Sequence, residues 1–144
     1  MDVTNEALLA APLERVFAYV TTARNWPDWH PATEGVSGAI DEPMRIGDRI
    51  VERARIGGVL AEGAWTVVEH EPGRCVVLTM PGTRLGDLTI RYDFVPEGSG
   101  VRFCRTLRFD LAGLPEGMPA AEIERQLAED SAIAVARIAA ILEA

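Results

Sequence analysis

Arg105, Glu52 and Asp130 interrupt apolar patterns that would otherwise face a core. Arg105 keeps the period-2 register of Val101, Phe103, Leu107 and Phe109, which points its guanidinium inward. Glu52 lies between Ile50 and Ala54 on a strand whose other face carries Val51, Arg53 and Arg55. Asp130 follows Leu127 by three residues and precedes Ala134 by four, so it shares their helical face, with Ser131 one step around. A charge taken out of water is costly unless it is paired, so each inward group needs a partner, water or a ligand. Three accounts follow. Arg105 can pair with Glu52 or Asp130 and neutralise the wall it sits in. Either residue can lie near a strand end and reach solvent. Or Arg105 polarises a carbonyl or grips a carboxylate through two N–H groups, while Glu52 or Asp130 moves a proton. The first account carries most weight, because structural ion-pair networks shift pKa values without catalysis.

His30 and His70 are the two histidines. His30, in Trp29-His30-Pro31, is a candidate acid or base near neutral pH, although a histidine between Trp and Pro more commonly packs or caps. His70 precedes Glu71-Pro72-Gly73 and reads as a turn residue. Tyr92 faces inward with Phe94; its hydroxyl can meet a ligand, or simply find a partner in the core. No GxSxG elbow, Ser-His-Asp arrangement or P-loop is present, and Gly57-Gly58 is too short for a dinucleotide fingerprint. Cofactor chemistry is therefore unsupported. Cys75 and Cys104 form no CxxC pair and no Cys/His cluster, so no metal site is expected.

Composition narrows the partners. The chain has 144 residues, 48% hydrophobic and 25% charged, which is the length and make-up of one globular domain over residues 1–144. A formal net charge of -8, with arginines scattered through strand-like segments, argues against nucleic acid, since affinity for phosphates comes from clustered cations. It argues equally against an anionic membrane surface. The most apolar stretch near the C-terminus is interrupted by Arg137 and is too short to span a bilayer, and no signal peptide is evident. The expected location is cytoplasmic. A homodimer stays open, on the general frequency of symmetric pairs.

The elements that must position these residues are readable from punctuation and period. Residues 2–10 form a first strand. Ala11-Pro12 opens a helix carrying Leu13, Val16, Phe17 and Val20, which should end before Asn25-Trp26-Pro27. Trp26-Pro27-Asp28-Trp29-His30-Pro31 is a short helical turn whose tryptophans plug a core. From residue 33 to 111 a meander of strands is expected, broken at Asp41-Glu42-Pro43, Gly57-Gly58, Glu71-Pro72-Gly73, Pro81-Gly82 and Pro96-Glu97-Gly98-Ser99-Gly100. Leu88, Ile90, Tyr92 and Phe94 alternate with Thr89, Arg91 and Asp93, as a half-buried sheet requires. After Gly113-Leu114-Pro115 the period becomes helical, with Ile123, Leu127, Ala134, Ile138 and Ile141 on one stripe. Gly113–Pro119 and Pro81–Gly86 are the expected mobile lips.

This order resembles the SRPBCC superfamily of START-related, pollen-allergen-like and polyketide cyclase/dehydrase-like proteins. The resemblance is carried by Ala11-Pro12-Leu13-Glu14-Arg15-Val16-Phe17, by Trp26-Pro27-Asp28-Trp29-His30-Pro31, by Gly47-Asp48-Arg49 and by Trp65-Thr66-Val67-Val68-Glu69-His70-Glu71-Pro72, and it spans essentially the whole chain. It implies an α+β helix-grip fold: a curved antiparallel seven-stranded sheet wrapped around a long C-terminal helix, with two short helices after the first strand. It also implies an apolar pocket between sheet and helix, for which the candidate contact residues are Arg105, Glu52, Tyr92, Phe94, Phe103, Leu107, Leu127, Asp130, Ser131, Ala134, Trp29 and His30. Fold likeness sets only a prior for function. The leading expectation is a small hydrophobic or amphipathic ligand: a lipid, polyketide or aromatic metabolite. The alternative is a cyclase/dehydrase-type enzyme using Arg105 with Glu52 or Asp130, and with His30 or Tyr92 as further candidates. A protein-interaction role for the outer face, with Arg53, Arg55 and Arg108, ranks last.

Overall fold

The computed structural model describes residues 1–144. Strand β1 (Asp2–Leu9) leads through Pro12 into helix α1 (Leu13–Thr21), then through a single 3₁₀ turn to the short helix α2 (Trp26–Trp29). Strands β2 (Thr33–Gly38), β3 (Arg49–Ile56), β4 (Val59–Glu71), β5 (Cys75–Thr83), β6 (Gly86–Glu97) and β7 (Gly100–Arg108) follow, and helix α3 (Ala120–Glu143) closes the chain. All seven strands join one antiparallel sheet in the order β1-β7-β6-β5-β4-β3-β2, curled into a half-barrel around α3. The expected helix-grip architecture is the observed one.

Local chemistry explains the joints. Pro12 presets the backbone at the α1 N-terminus, and its carbonyl accepts from Val16 N–H at 3.0 Å. Helix α1 ends before Asn25-Trp26-Pro27 as expected, but the stop is at Thr22, which turns extended; Pro27 itself sits in the first turn of α2, where its missing N–H costs nothing. Gly57 and Gly58 both have positive φ, +60° and +78°, which makes the two-residue β3–β4 hairpin possible. Pro81-Gly82 is not a break. It lies inside β5 at an irregularity between Met80 and Thr83, and the turn falls at Arg84-Leu85. The lip expected at Pro81–Gly86 is thus mostly strand.

Helix α3 packs mainly on β1, with lesser contact to β7 and α2. Its buried residues are Ile123, Leu127, Ser131, Ala134, Val135, Ile138 and Leu142. Leu142 takes the buried place expected of Ile141, which is only partly covered. Ser131 and Ala134 are small and fully buried, so the helix approaches β1 and β7 closely. Toward its N-terminus α3 meets β3 and β4 only at the tip of their hairpin, through Gln126 and Ile123, and the space it leaves over the rest of the concave face is the cavity.

Candidate functional site

The space between the concave sheet and α3 is a cavity of about 830 Å³, lined by 33 residues of which 20 are hydrophobic. Trp26 and Trp29 of α2, Ile90 of β6, Leu107 of β7 and Leu127 of α3 form apolar wall. Arg105, Glu52, Tyr92, His30, Asp130 and Thr33 are the polar groups set into it. Among the expected contacts, Arg105, Glu52, Tyr92, Leu107, Leu127, Asp130, Trp29 and His30 line the cavity. Phe94, Phe103, Ser131 and Ala134 are fully or nearly fully buried behind it.

Arg105 is 3% exposed, and no carboxylate lies within ion-pairing distance of it. The pairing with Glu52 or Asp130 that the sequence favoured is not formed. Its Nη1 instead donates to Ser131 Oγ at 2.8 Å, and its Nε is sealed without a partner. For Glu52 the reason is topology: it stands on β3 and Arg105 on β7, with β4, β5 and β6 between them at about 4.8 Å per strand along the curl of the sheet. Asp130 is held instead by Gln126 on its own helix.

Glu52 has its own partners. Thr33 Oγ1 donates to Oε2 at 2.5 Å and Trp65 Nε1 donates to Oε1 at 3.0 Å. These bonds hold the carboxylate in the wall opposite Arg105. Asp130 accepts from Gln126 Nε2 at 3.1 Å, and Gln126 also ties α3 to the β3–β4 hairpin by accepting from Gly57 N–H and donating to Arg55 O. Burial raises the Asp130 carboxyl above its ordinary range, against the lowering effect of the Gln126 bond. Ser131, and not Asp130, takes the centre of the helical stripe, so the acid lies half-buried at its flank.

His30 Nδ1 accepts from Ala32 N–H at 3.2 Å. Burial, reinforced by the charges of Arg105 and Arg137, lowers its pKa to about 3. The ring is therefore neutral near pH 7 with its hydrogen on Nε2, a donor and not an acid. Tyr92 is 1% exposed, and burial pushes its phenol up to about 12 against the pull of Arg105. Around Arg105 the site thus offers N–H and O–H donors and one permanent cation, with the Glu52 and Asp130 carboxyl groups elsewhere on the wall.

Sequence reasoning missed Asn5, Thr33 and Trp65. Asn5 on β1 is the direct cross-strand partner of Arg105, which in turn pairs with Tyr92 on β6. Its Oδ1 is sealed without a partner, as are the indole nitrogens of Trp26 and Trp29. The signal was present, since Asn5 keeps the period-2 register of Val3, Ala7 and Leu9. On the outer face, Arg55 pairs with Glu34 at 2.7 Å and Arg108 with Asp2 at 2.9 Å, so those charges are solvated pairs. No helix is long and apolar enough to cross a membrane.

Comparison with known proteins agrees with this geometry. Protein TTHA0849 of Thermus thermophilus superposes with a TM-score of 0.80 at 18% identity, over 99% of this chain and 97% of that one. A START superfamily protein of Mycobacterium smegmatis superposes at 0.71 and 16% identity, over 97% and 98%. Likeness at such identities is likeness of fold, here the START/SRPBCC fold. Penitrem biosynthesis cluster 1 protein I of Penicillium ochrochloron is 28% identical over 109 residues, 71% of each chain. Residues 1–143 match the family described as polyketide cyclase / dehydrase and lipid transport, a description that implies a ligand-binding or polyketide-processing role. With a match of that extent, the chain belongs to the polyketide cyclase / dehydrase and lipid transport family.

Proposed function

We propose that this protein binds a small amphipathic molecule, apolar over most of its length, with an oxygen-bearing group held by Arg105. The observation that carries this reading is Arg105 itself. It is a buried guanidinium on the wall of a cavity of about 830 Å³, bonded to the Ser131 hydroxyl, close to the Tyr92 hydroxyl and without a carboxylate partner. Pockets of this size, mostly apolar with a few convergent polar groups, are the usual form of a small-molecule site. The family's description and the relative from a penitrem biosynthesis cluster support a lipid, polyketide or aromatic metabolite as the ligand. Native mass spectrometry of protein purified from its own source, joined to thermal-shift screening with lipids and polycyclic aromatics, tests the reading. A retained small molecule or a ligand-dependent rise in Tm is expected; no co-purified mass and no shift across the panel would overturn it.

One observation favours an enzymatic reading beside it. Asp130 lines the same cavity with its carboxyl raised by burial, closer to the range in which an acid exchanges protons at neutral pH. A cyclase or dehydrase step would use Arg105 and the Tyr92 hydroxyl to polarise a ketone, and Asp130 to move the proton. Asp130→Asn is expected to abolish turnover of a poly-β-ketone while leaving its binding intact; unchanged turnover would reject that role.

A further inference from the structure

Resting on the binding reading above, we infer that the ligand is an organic acid, whose carboxylate or enolate oxygen supplies the missing counter-charge to Arg105. The argument starts from what faces the guanidinium. Ser131 on α3 accepts from Nη1 and is neutral. Asn5 on β1 and Tyr92 on β6, the cross-strand neighbours of Arg105, are neutral, the phenol held so by burial. His30, after α2, is neutral and turns a hydrogen-bearing nitrogen outward from its Ala32 contact. Arg137 on α3 adds a second positive charge nearby. The two acids of the wall form no ion pair with it. Glu52 has one bond on each oxygen, from Thr33 and from Trp65; Asp130 is tied to Gln126, and burial raises its carboxyl against the longer-range pull of Arg105 and Arg137. Arg49, Arg84 and Glu62 also border the cavity, but they are exposed and act at its mouth.

A buried guanidinium is stabilised best by an oxyanion that takes two parallel N–H bonds. Arg105 Nη2 is not among the sealed atoms, and beside the Ser131 bond the guanidinium has only the neutral Tyr92 hydroxyl for company, so Nη2 is the N–H group placed to meet a ligand. A primary amine would set a second cation beside the Arg105 guanidinium. A plain alcohol would accept a bond but leave the charge unpaired.

The test uses naphthalene probes of one shape and three charges, 2-naphthoate, 2-naphthylmethanol and 2-naphthylmethylamine, bound to the full chain at neutral pH and followed by probe fluorescence. The expected order is anion, then alcohol, then amine, with the anion ahead of the alcohol by about tenfold or more. Arg105→Met should bring anion and alcohol level. An alcohol that binds as well as the anion would overturn the inference and leave the cavity reading standing. A preference for the anion that survives Arg105→Met would also overturn it, assigning the charge to Arg49 and Arg84 at the mouth. Failure of all three probes to bind would overturn the inference and the cavity reading together. The wild-type order needs no variant to fold, so the test does not depend on Arg105→Met being stable.

Discussion

Replacing Arg105 with methionine should make the ligand-free protein more stable, which is the reverse of what a buried, bonded side chain normally gives. The guanidinium is 3% exposed and keeps one hydrogen bond, to Ser131, while its Nε has none. Moving such an ion out of water costs several kcal/mol even after relaxation. One hydrogen bond involving a charged group returns about 1.5–3 kcal/mol. The remainder is a standing penalty on the order of a few kcal/mol in the empty protein. Methionine matches the length and flexibility of the arginine stem and removes the charge. It leaves the Ser131 hydroxyl without its donor, at a cost of about 1 kcal/mol. The balance is a gain of about 1–3 kcal/mol, or a Tm higher by roughly 3–10 °C for a chain of this length.

The assay is urea and thermal unfolding of ligand-stripped wild type, Arg105→Met and Ser131→Ala. Ser131→Ala should move the other way, losing about 1.5–3 kcal/mol, because it strips the guanidinium of its one protein partner. A loss of about 2 kcal/mol or more in Arg105→Met would refute the reasoning. It would mean that the guanidinium is compensated within the fold, and is there to hold the sheet and helix together rather than to meet a ligand.

Three further outcomes follow from the same geometry. Glu52→Leu should cost about 2–4 kcal/mol in urea unfolding, since it orphans the Trp65 indole N–H and the Thr33 hydroxyl together, whereas Glu52→Gln, which can still accept from Trp65, should lose less than half of that. His30 has a folded pKa lowered to about 3 from the unfolded 6.5, so the unfolded chain binds its proton first; stability is full above about pH 6.5 and falls as pH drops from there toward 3. His30→Gln should flatten that slope, and NMR should find the wild-type ring unprotonated at pH 5. Gly100→Ala should destabilise more than Gly63→Ala, because a new Cβ at residue 100 would overlap the Leu9 carbonyl, while at residue 63 it would meet the thioether of Met80, which can swing aside.

The fold was legible because its signals are local. Two adjacent glycines with positive φ give a hairpin, alternation from Leu88 to Phe94 gives a face, and the change of period after Pro115 gives the helix. The irregularity at Pro81-Gly82 was misread because a bulge inside a strand uses the same residues as a turn. The inward direction of Arg105, Glu52 and Tyr92 was legible for the same local reason. What alternation could not give is distance along the face. Period 2 says that Glu52 and Arg105 share the concave side, yet their separation depends on how many strands lie between them.

That separation decides the reading of the site. Had β3 lain beside β7, Glu52 and Arg105 could have formed a closed ion pair, and the cavity wall would be electrically complete. With three strands between them, the carboxylate is held by hydrogen bonds from donors on β2 and β4, Thr33 and Trp65, and the guanidinium is left to Ser131. The same sheet order that separates the charges also seats α3 mainly on β1 and leaves it only the hairpin tip of β3 and β4. One arrangement therefore opens the cavity and leaves its cation without a counter-ion. A wall built only for packing has no use for a buried charge, since a hydrophobic residue of similar volume is generally as stable or more so. A wall built to hold an oxygen at one end of an apolar molecule needs one charge in that place, fixed by a neutral partner that does not compete for it.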